Sequence, residues 1–486
     1  MSAVLEAIAR KVAPEGSHIA LSDGSSALSY AELHAAILQT AEAIGRRCPG
    51  SQPVASLLDN SPAWIILDLA LLHLGRVHVP LPLFFSEEQR RHALSSAGVG
   101  HLLVAAGPAA TVVTVAGINL SVVPLPAPAV SLPKGTAKIT YTSGSTGEPK
   151  GVCLSQEMLE ETAQSICTVV GAQHATRHVA VLPLAVLLEN VAGLYAVLLA
   201  GGTYVAPSLA SLGFAKPFTP DFLQMAEALR ALKASSAILV PELLRGLVMA
   251  LRLSQQRLPD MRFLAVGGAA VPQSLLAQAG ETGLPIYEGY GLSEAGSVVT
   301  LNRPGKASPG RAGHFLPHVS AVIAADGELL IEHPVFLGYV GGGRPPSVLA
   351  TGDLVDCDET GAVSIIGRTS NLIITSYGRN ISPEWIEREL SGQPVIRQAL
   401  VHGDGAAGLS ALIVPMSETV TDEMIAAAIA TANARLPEYA RLLHWRRTAP
   451  FTVQNGLATA NGRMKRHAIH ADHGIGPLSR TQELSA

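Results

Sequence analysis

Residues 141–155, YTSGSTGEPKGVCLS, put glycines, hydroxyls and an ammonium group at a spacing that can hold phosphate. Gly144, Gly147 and Gly151 open backbone conformations closed to other residues, so successive N–H groups can converge on an anion. Thr142, Ser143, Ser145 and Thr146 add short hydroxyl donors, and Lys150 adds a positive charge beside the restrained Pro149. The order is not that of the common phosphate-binding loop, which needs Gly-Lys-Ser/Thr in succession; here Glu148 and Pro149 separate Gly147 from Lys150. Composition alone leaves a flexible Ser/Gly linker as open as a phosphate cradle.

The elements that would carry this loop read as α/β. SYAELHAAILQTAEAIGRR has apolar residues at helical spacing, QPVASLL is a short strand, SPAWIILDLALLHLG is a helix ending at Gly75, and VHVPL is another strand. From 306 to 366 the pattern changes to strands joined by Asp-Gly and Thr-Gly turns, as in hairpins. After residue 371 a compact α+β module is predicted. Ser382 and Pro383 open a helix over SPEWIEREL, IRQALVHGDGAAGLSALIVPM forms a hairpin, and TDEMIAAAIATANARL forms a helix with an acidic first turn. The final stretch, HGIGPLSRTQELSA, reads as a loose tail.

The bulk numbers agree with a globular chain. Of 486 residues, 48% are hydrophobic and 15% charged, enough for a large core and about three domain-sized units. A net charge of −4 gives no basic footprint for nucleic acid. Cys48, Cys153, Cys167 and Cys357 have neither metal-ligand nor redox spacing, which suits reduced cytoplasmic thiols. The N-terminal MSAVLEAIARKVAPEG lacks the apolar core of a signal peptide. Two apolar stretches, 179–202 and 101–133, are interrupted by Glu189, Asn190, Gly and Pro, and read as buried core rather than membrane spans.

The unbroken order YTSGSTGEPKGV resembles the signature loop of the acyl-adenylating superfamily, which includes acyl-CoA synthetases, luciferases and peptide-synthetase adenylation domains. Other motifs follow in the family's order, and the likeness runs from about residue 15 to 466. The resemblance implies a large N-terminal domain, 1–370, with mixed sheets flanked by helices and a β-barrel-like subdomain, and a small mobile α+β lid, 371–486. It implies ATP held by Thr142, Ser143, Gly144, Ser145, Thr146, Gly147 and Lys150. In YEGYGLSEAG (Glu288, Gly289, Tyr290, Gly291 onward) Tyr290 would stack on adenine, Ser293 would meet the α-phosphate, and Glu294, with Thr146, would hold Mg²⁺. Gly268 and Ala269 of AVGGAAVP would let the adenine approach the backbone, and Asp353 of TGDL would accept from the ribose hydroxyls. Arg368 would contact ribose or phosphate, and Gly378 would line a thiol tunnel.

Three positions depart from that pattern. Val186 stands where long-chain synthetases carry a histidine in LPLAH, which makes that wall apolar, while Glu189 is retained. Asn371 replaces the hinge aspartate and keeps its shape without its charge. In FTVQNGLATANGRMKR, alignment on Thr459 and Gly462 puts Arg463 in the slot of the catalytic lysine, with Lys465 two residues on. Either cation could stabilise charge built up on the α-phosphate; in an extended segment the two share a face.

The implied reaction is a two-step ligation. A carboxylate attacks ATP to give an acyl-adenylate and pyrophosphate, and a thiol, coenzyme A or phosphopantetheine, then takes the acyl group. No motif for an amino-acid ammonium accompanies 183–190, so an apolar acid, fatty acids included, is expected. Transfer to an acyl carrier protein, capture by an amine, and a homologue that binds nucleotide without turnover stay open, the last because of Arg463.

Overall fold

The computed structural model describes residues 2–15, 17–105, 111–126, 128–143, 149–215, 220–343, 347–374, 380–403, 408–458 and 464–475. Packing of the backbone divides the chain into two compact units. One comprises Met1–Ala269, Gln278–Ala321 and Ile331–Leu349, the other Ala270–Ala277, Val322–Leu330 and Ala350–Ala486. Residues 350–370 thus pack with the C-terminal residues, and position 371 lies inside the second unit.

The first unit is built on two mixed sheets, as the alternating rhythm predicts. In the nine-stranded sheet, Ile286–Tyr290, Phe263–Val266, Ser236–Leu239, Arg177–Val179 and Thr203–Val205 lie side by side and parallel. The eight-stranded sheet runs from Gly338–Tyr339 through the antiparallel hairpin Pro149–Ser155 and Thr136–Ser143 to His78–Pro80, Val54–Leu57 and His101–Ala105. Helix ends follow local chemistry. Ser29 and Glu32 close a capping box on Tyr30–Arg47, and Ser61 caps Pro62–His73 with proline in its first turn. The latter helix is buried from Pro62 to Leu71, so its pattern is apolar all round, with one charge, Asp68, inside. The stretch predicted to be core at 101–133 supplies three strands, and residues 189–200 form a wide π-type turn running into a short helix. Among the described residues no helix is long and apolar enough to cross a membrane.

The barrel-like subdomain takes the form of a four-stranded sheet, in the order Ser320–Ile323, Glu328–His333, Leu349–Cys357, Val363–Arg368, of which residues 322–330 and 350–368 belong to the second unit. The hairpins turn at Asp326–Gly327 and Thr360–Gly361, as read from sequence. The C-terminal part has the expected hairpin, Ile396–His402 with Leu409–Pro415, joined by the parallel strand Leu442–Arg447. Period-two alternation gives this sheet two apolar faces. Ala399, Val401, Ala411 and Ile413 share a core with Ile386, Leu390, Ile425 and Ile429 of the helices Pro383–Ser391 and Asp422–Asn433. Leu400, Leu412 and Val414 pack with Phe451 and with Ile469 of the helix Arg466–Asp472.

Candidate active site

Open α/β sheets bind ligands beyond the carboxyl ends of their strands, where the strand order reverses. Here the chain leaves Arg177–Val179 for Thr203–Val205 on one side, then returns to Ser236–Leu239 on the other. The reversal therefore falls at the end of Arg177–Val179, and the segment 180–190 emerges into that crevice. Its wall is apolar: Leu182, Leu184, Ala185 and Leu187 are buried, and Val186 and Leu188 are partly exposed. A Cβ at Gly267 would lie 3.3 Å from the Gly289 carbonyl and in ordinary contact, 3.9 Å, with Leu188 Cδ2.

Buried polar groups fix this wall at both ends. Asn60 donates to the Leu182 carbonyl at 2.9 Å and accepts from the Leu184 N–H at 2.7 Å. Glu189, fully buried, accepts from Tyr204 Oη at 2.7 Å and from the Leu182 N–H at 3.3 Å, and bonds His178 Nε2 at 2.9 Å. The retained glutamate thus clamps the wall to the sheet. Next to it, Asn190 joins a buried cluster in which Lys138 Nζ lies 2.8 Å from Asp68 Oδ1, and Asp68 also meets His78 Nδ1 at 2.5 Å and Tyr195 Oη at 2.7 Å. Burial alone would raise the Asp68 pKa, but Lys138 and His78 outweigh it and hold the carboxyl well below the usual carboxylate range.

Beyond the next strands lie the residues predicted to meet nucleotide. Gly268 and Ala269 are exposed at the end of Phe263–Val266, and Gly268 has φ +85°, a conformation glycine adopts without strain. Glu288, Gly289 and Tyr290 form the end of the adjacent strand. Glu288 is buried and accepts from the Gly310 N–H at 2.6 Å, so its carboxylate serves at least in part to hold that loop. Gly291 is required by packing: a Cβ there would lie 1.7 Å from the Ser297 carbonyl. Ser293 and Glu294 open the short turn Ser293–Ala295.

Glu294 is tied to the strand that carries Lys150 by a residue the sequence reading missed, Tyr339. Its hydroxyl donates to Glu294 Oε1 at 2.9 Å, and the Phe336 N–H donates to the Glu294 carbonyl at 2.9 Å. Tyr339 pairs with Val152 along the strand that leaves the loop, and Lys150 Nζ stands 5.6 Å from the centre of its ring. Burial, then the charge of Glu294 and its hydrogen bond, push the Tyr339 phenol upward, so it stays a donor. Thr142 and Ser143 lie at the start of the loop, in register with Lys150 and Pro149. Gly144, Ser145, Thr146 and Gly147 lie outside the described residues, as do Gly378 and Arg463. Among the described residues no group of three or more His, Cys, Asp or Glu could hold a metal. A lone carboxylate fits Mg²⁺ nonetheless, because that ion usually keeps waters and phosphate oxygens as its other ligands.

In the second unit, the predicted ribose residues meet each other. Asp353, buried, faces Arg368 across the strands, with the guanidinium at 2.7 and 3.4 Å from its two oxygens. Lys465 is half-buried and precedes the helix Arg466–Asp472; its N–H bonds the Leu457 carbonyl at 2.9 Å. Met464 beside it bridges to Ala458.

The AMP-binding enzyme family matches residues 8–340, and the C-terminal domain of AMP-binding enzymes matches 370–473. FadD11 of Mycobacterium tuberculosis is 28% identical over 336 residues, and the chain spans 58% of that relative's length, as of its own. A feruloyl-CoA synthase of Amycolatopsis is 29% identical over 79% of this chain and 82% of its own. A long-chain-fatty-acid–CoA ligase of Mycobacterium bovis is 30% identical over 72% and 70%. Among solved structures, anthranilate CoA ligase AuaEII with anthranoyl-AMP superposes with TM-score 0.81 at 18% identity over 97% of both chains. O-succinylbenzoate coenzyme A synthetase of Bacillus subtilis with ATP and magnesium gives 0.76 at 23% identity, over 96% and 99%. With both its parts matched in order, the chain belongs to the AMP-binding enzyme family, the acyl-adenylating superfamily.

Proposed function

We propose that this protein activates an apolar carboxylic acid with ATP and passes the acyl group to coenzyme A. The observation that carries the reading is the Lys150–Tyr339–Glu294 contact: the ammonium of the glycine loop and the carboxylate of the adjoining motif flank one ring. The acid would lie against Val186 and Leu188, where the wall offers no charge. Its carboxylate would attack the α-phosphorus, forming a C–O–P linkage while the bond to pyrophosphate breaks. Lys150 and the loop amides would hold the departing phosphates. Glu294 and Thr146 would hold Mg²⁺, which supplies positive charge to the phosphate oxygens. Asp353, a carboxylate that offers only acceptors, would bind a ribose through its hydroxyls, with Arg368 beside it. Lys465 or Arg463 would face the α-phosphate. In the second step the thiol sulfur attacks the acyl carbon, AMP leaves, and the thiol proton passes to solvent.

Relatives named for feruloyl and for long-chain fatty substrates support an apolar acid, and the aryl names favour an aromatic acid as the second reading. The test is acid-dependent exchange of labelled pyrophosphate into ATP across straight-chain, branched and aryl acids, followed by thioester formation with coenzyme A or a phosphopantetheinyl carrier protein. Exchange with apolar acids supports the reading. No exchange with any acid would favour a nucleotide-binding homologue.

A further inference from the structure

Arg466 follows directly on Lys465, and its side chain, 9% exposed, points into the second unit rather than into solvent. Three acceptors hold it. Nη2 bonds Glu387 Oε2, Nη1 donates to the Val401 carbonyl at 3.2 Å, and Nε lies 3.7 Å from Glu384 Oε1. Glu387 is buried on the apolar face of its helix, and its other oxygen accepts from the Val401 N–H at 2.7 Å. An arginine fork held on several sides fixes direction as well as position. The helix that begins at Arg466 is thereby anchored at its first residue, one step from Lys465.

Glu384 carries the anchor further. Its Oε1 accepts from Asn371 Nδ2, and its Oε2 accepts from Ser382 Oγ at 2.9 Å. Gly367 leaves room for this arrangement, since a Cβ there would lie 2.0 Å from Ser382 Oγ and 3.3 Å from Glu384 Oε2. Residue 371 and the lysine-bearing segment, far apart in sequence, thus share one carboxylate. This also accounts for the amide at 371. An aspartate there would add a third carboxylate beside Glu384 and Glu387, which among the described residues pair with the guanidinium of Arg466.

We propose that Arg466 is the positioning residue for the adenylating cation at Lys465, and that the Asn371–Glu384 hydrogen bond ties its placement to the state of residue 371. This rests on the function proposed above. No bond changes at these residues; they act by holding Lys465 where charge develops, and small misplacements of such groups cost about 100-fold in rate.

The test uses the full chain with decanoate, or ferulate where that acid is preferred, in two assays. Pyrophosphate exchange reads adenylation. Thioester formation from synthetic acyl-adenylate and coenzyme A reads the second step alone. Arg466→Met should lower exchange by about 100-fold while the second step stays near the wild-type rate, and Arg466→Lys should recover part of the loss. Asn371→Asp should lower exchange, and Glu384→Gln in that background should restore it, because the added charge is then relieved. The latter two substitutions are near-isosteric and keep the test valid if Arg466→Met fails to fold. Equal losses in both steps that track the melting temperature, or no rescue by Glu384→Gln, would overturn the proposal alone. No exchange by the wild-type chain with any acid would overturn the function and this proposal with it.

Discussion

Replacing Lys138 with methionine tests how the segment 180–190 is held. Lys138 and Asp68 are 4% and 1% exposed, and the ammonium lies within 3.1 Å of both carboxylate oxygens. Removing one partner of such a pair leaves an uncompensated charge, at a cost of about 3–5 kcal/mol. Lost contact with the rings of Tyr195 and Trp64, 5.0 and 6.0 Å from Nζ, adds about 1 kcal/mol. His78 and Tyr195 still bond Asp68, which moves the net toward the lower end, about 3 kcal/mol. Trp64 packs against this cluster and is the one tryptophan of the first unit, so Trp385→Phe and Trp445→Phe make its fluorescence a local reporter. Urea unfolding followed at Trp64 should show the loss for Lys138→Met, and Asp68→Asn added to it should recover most of it. Asp68 has a depressed folded pKa, so its stabilisation is present above the unfolded value and lost as pH falls toward the folded one. That acid-side loss should shrink in Lys138→Met. A single variant costing less than about 1 kcal/mol, or a double variant no better than the single, would refute the reasoning.

Glu294→Gln should slow pyrophosphate exchange by about 100-fold and raise the magnesium concentration needed for half-maximal nucleotide binding, measured by titration calorimetry. Tyr339→Phe removes one hydrogen bond to a carboxylate, worth about 1.5–3 kcal/mol if the carboxylate is left poorly satisfied, and should weaken the same magnesium dependence less than Glu294→Gln does. Gly268→Ala places a Cβ in the left-handed region and should cost about 1–2 kcal/mol in thermal unfolding. Burial holds His318 and His470 at about 4, against 6.5 unperturbed, so the unfolded chain binds more protons between those values. Stability should therefore be full above pH 6.5 and fall as pH drops toward 4, with a shallower slope in His318→Gln and His470→Gln, read from melting temperatures across that range.

Much of the architecture was legible because it is local. The helices Tyr30–Arg47 and Pro62–His73, the turns at Asp326–Gly327 and Thr360–Gly361, and the change from alternating to hairpin patterns all depend on near neighbours. Ser382 shows the limit. It stands at the N-cap with Pro383 in the first turn, as read, but its hydroxyl bonds the Glu384 side chain and no backbone N–H of that turn. The rest of the site depends on pairings that spacing does not encode. Tyr339 reaches Glu294 through an edge strand paired with residues far upstream, and Asn60 braces a loop more than a hundred positions later. Asp68 sits in an otherwise apolar helix, and nothing around it in sequence names Lys138 as its partner.

The span from Leu182 to Asn190 behaves as a panel hung between fixed posts: Asn60 fastens one margin, and Glu189 and Asn190 are rooted in separate buried networks at the other. Exchanging the side chains on the panel itself, Val186 and Leu188, need not disturb either post. Under the proposed function, swapping residues inside this rigid frame would retune the preference for acid without touching the posts that hold it.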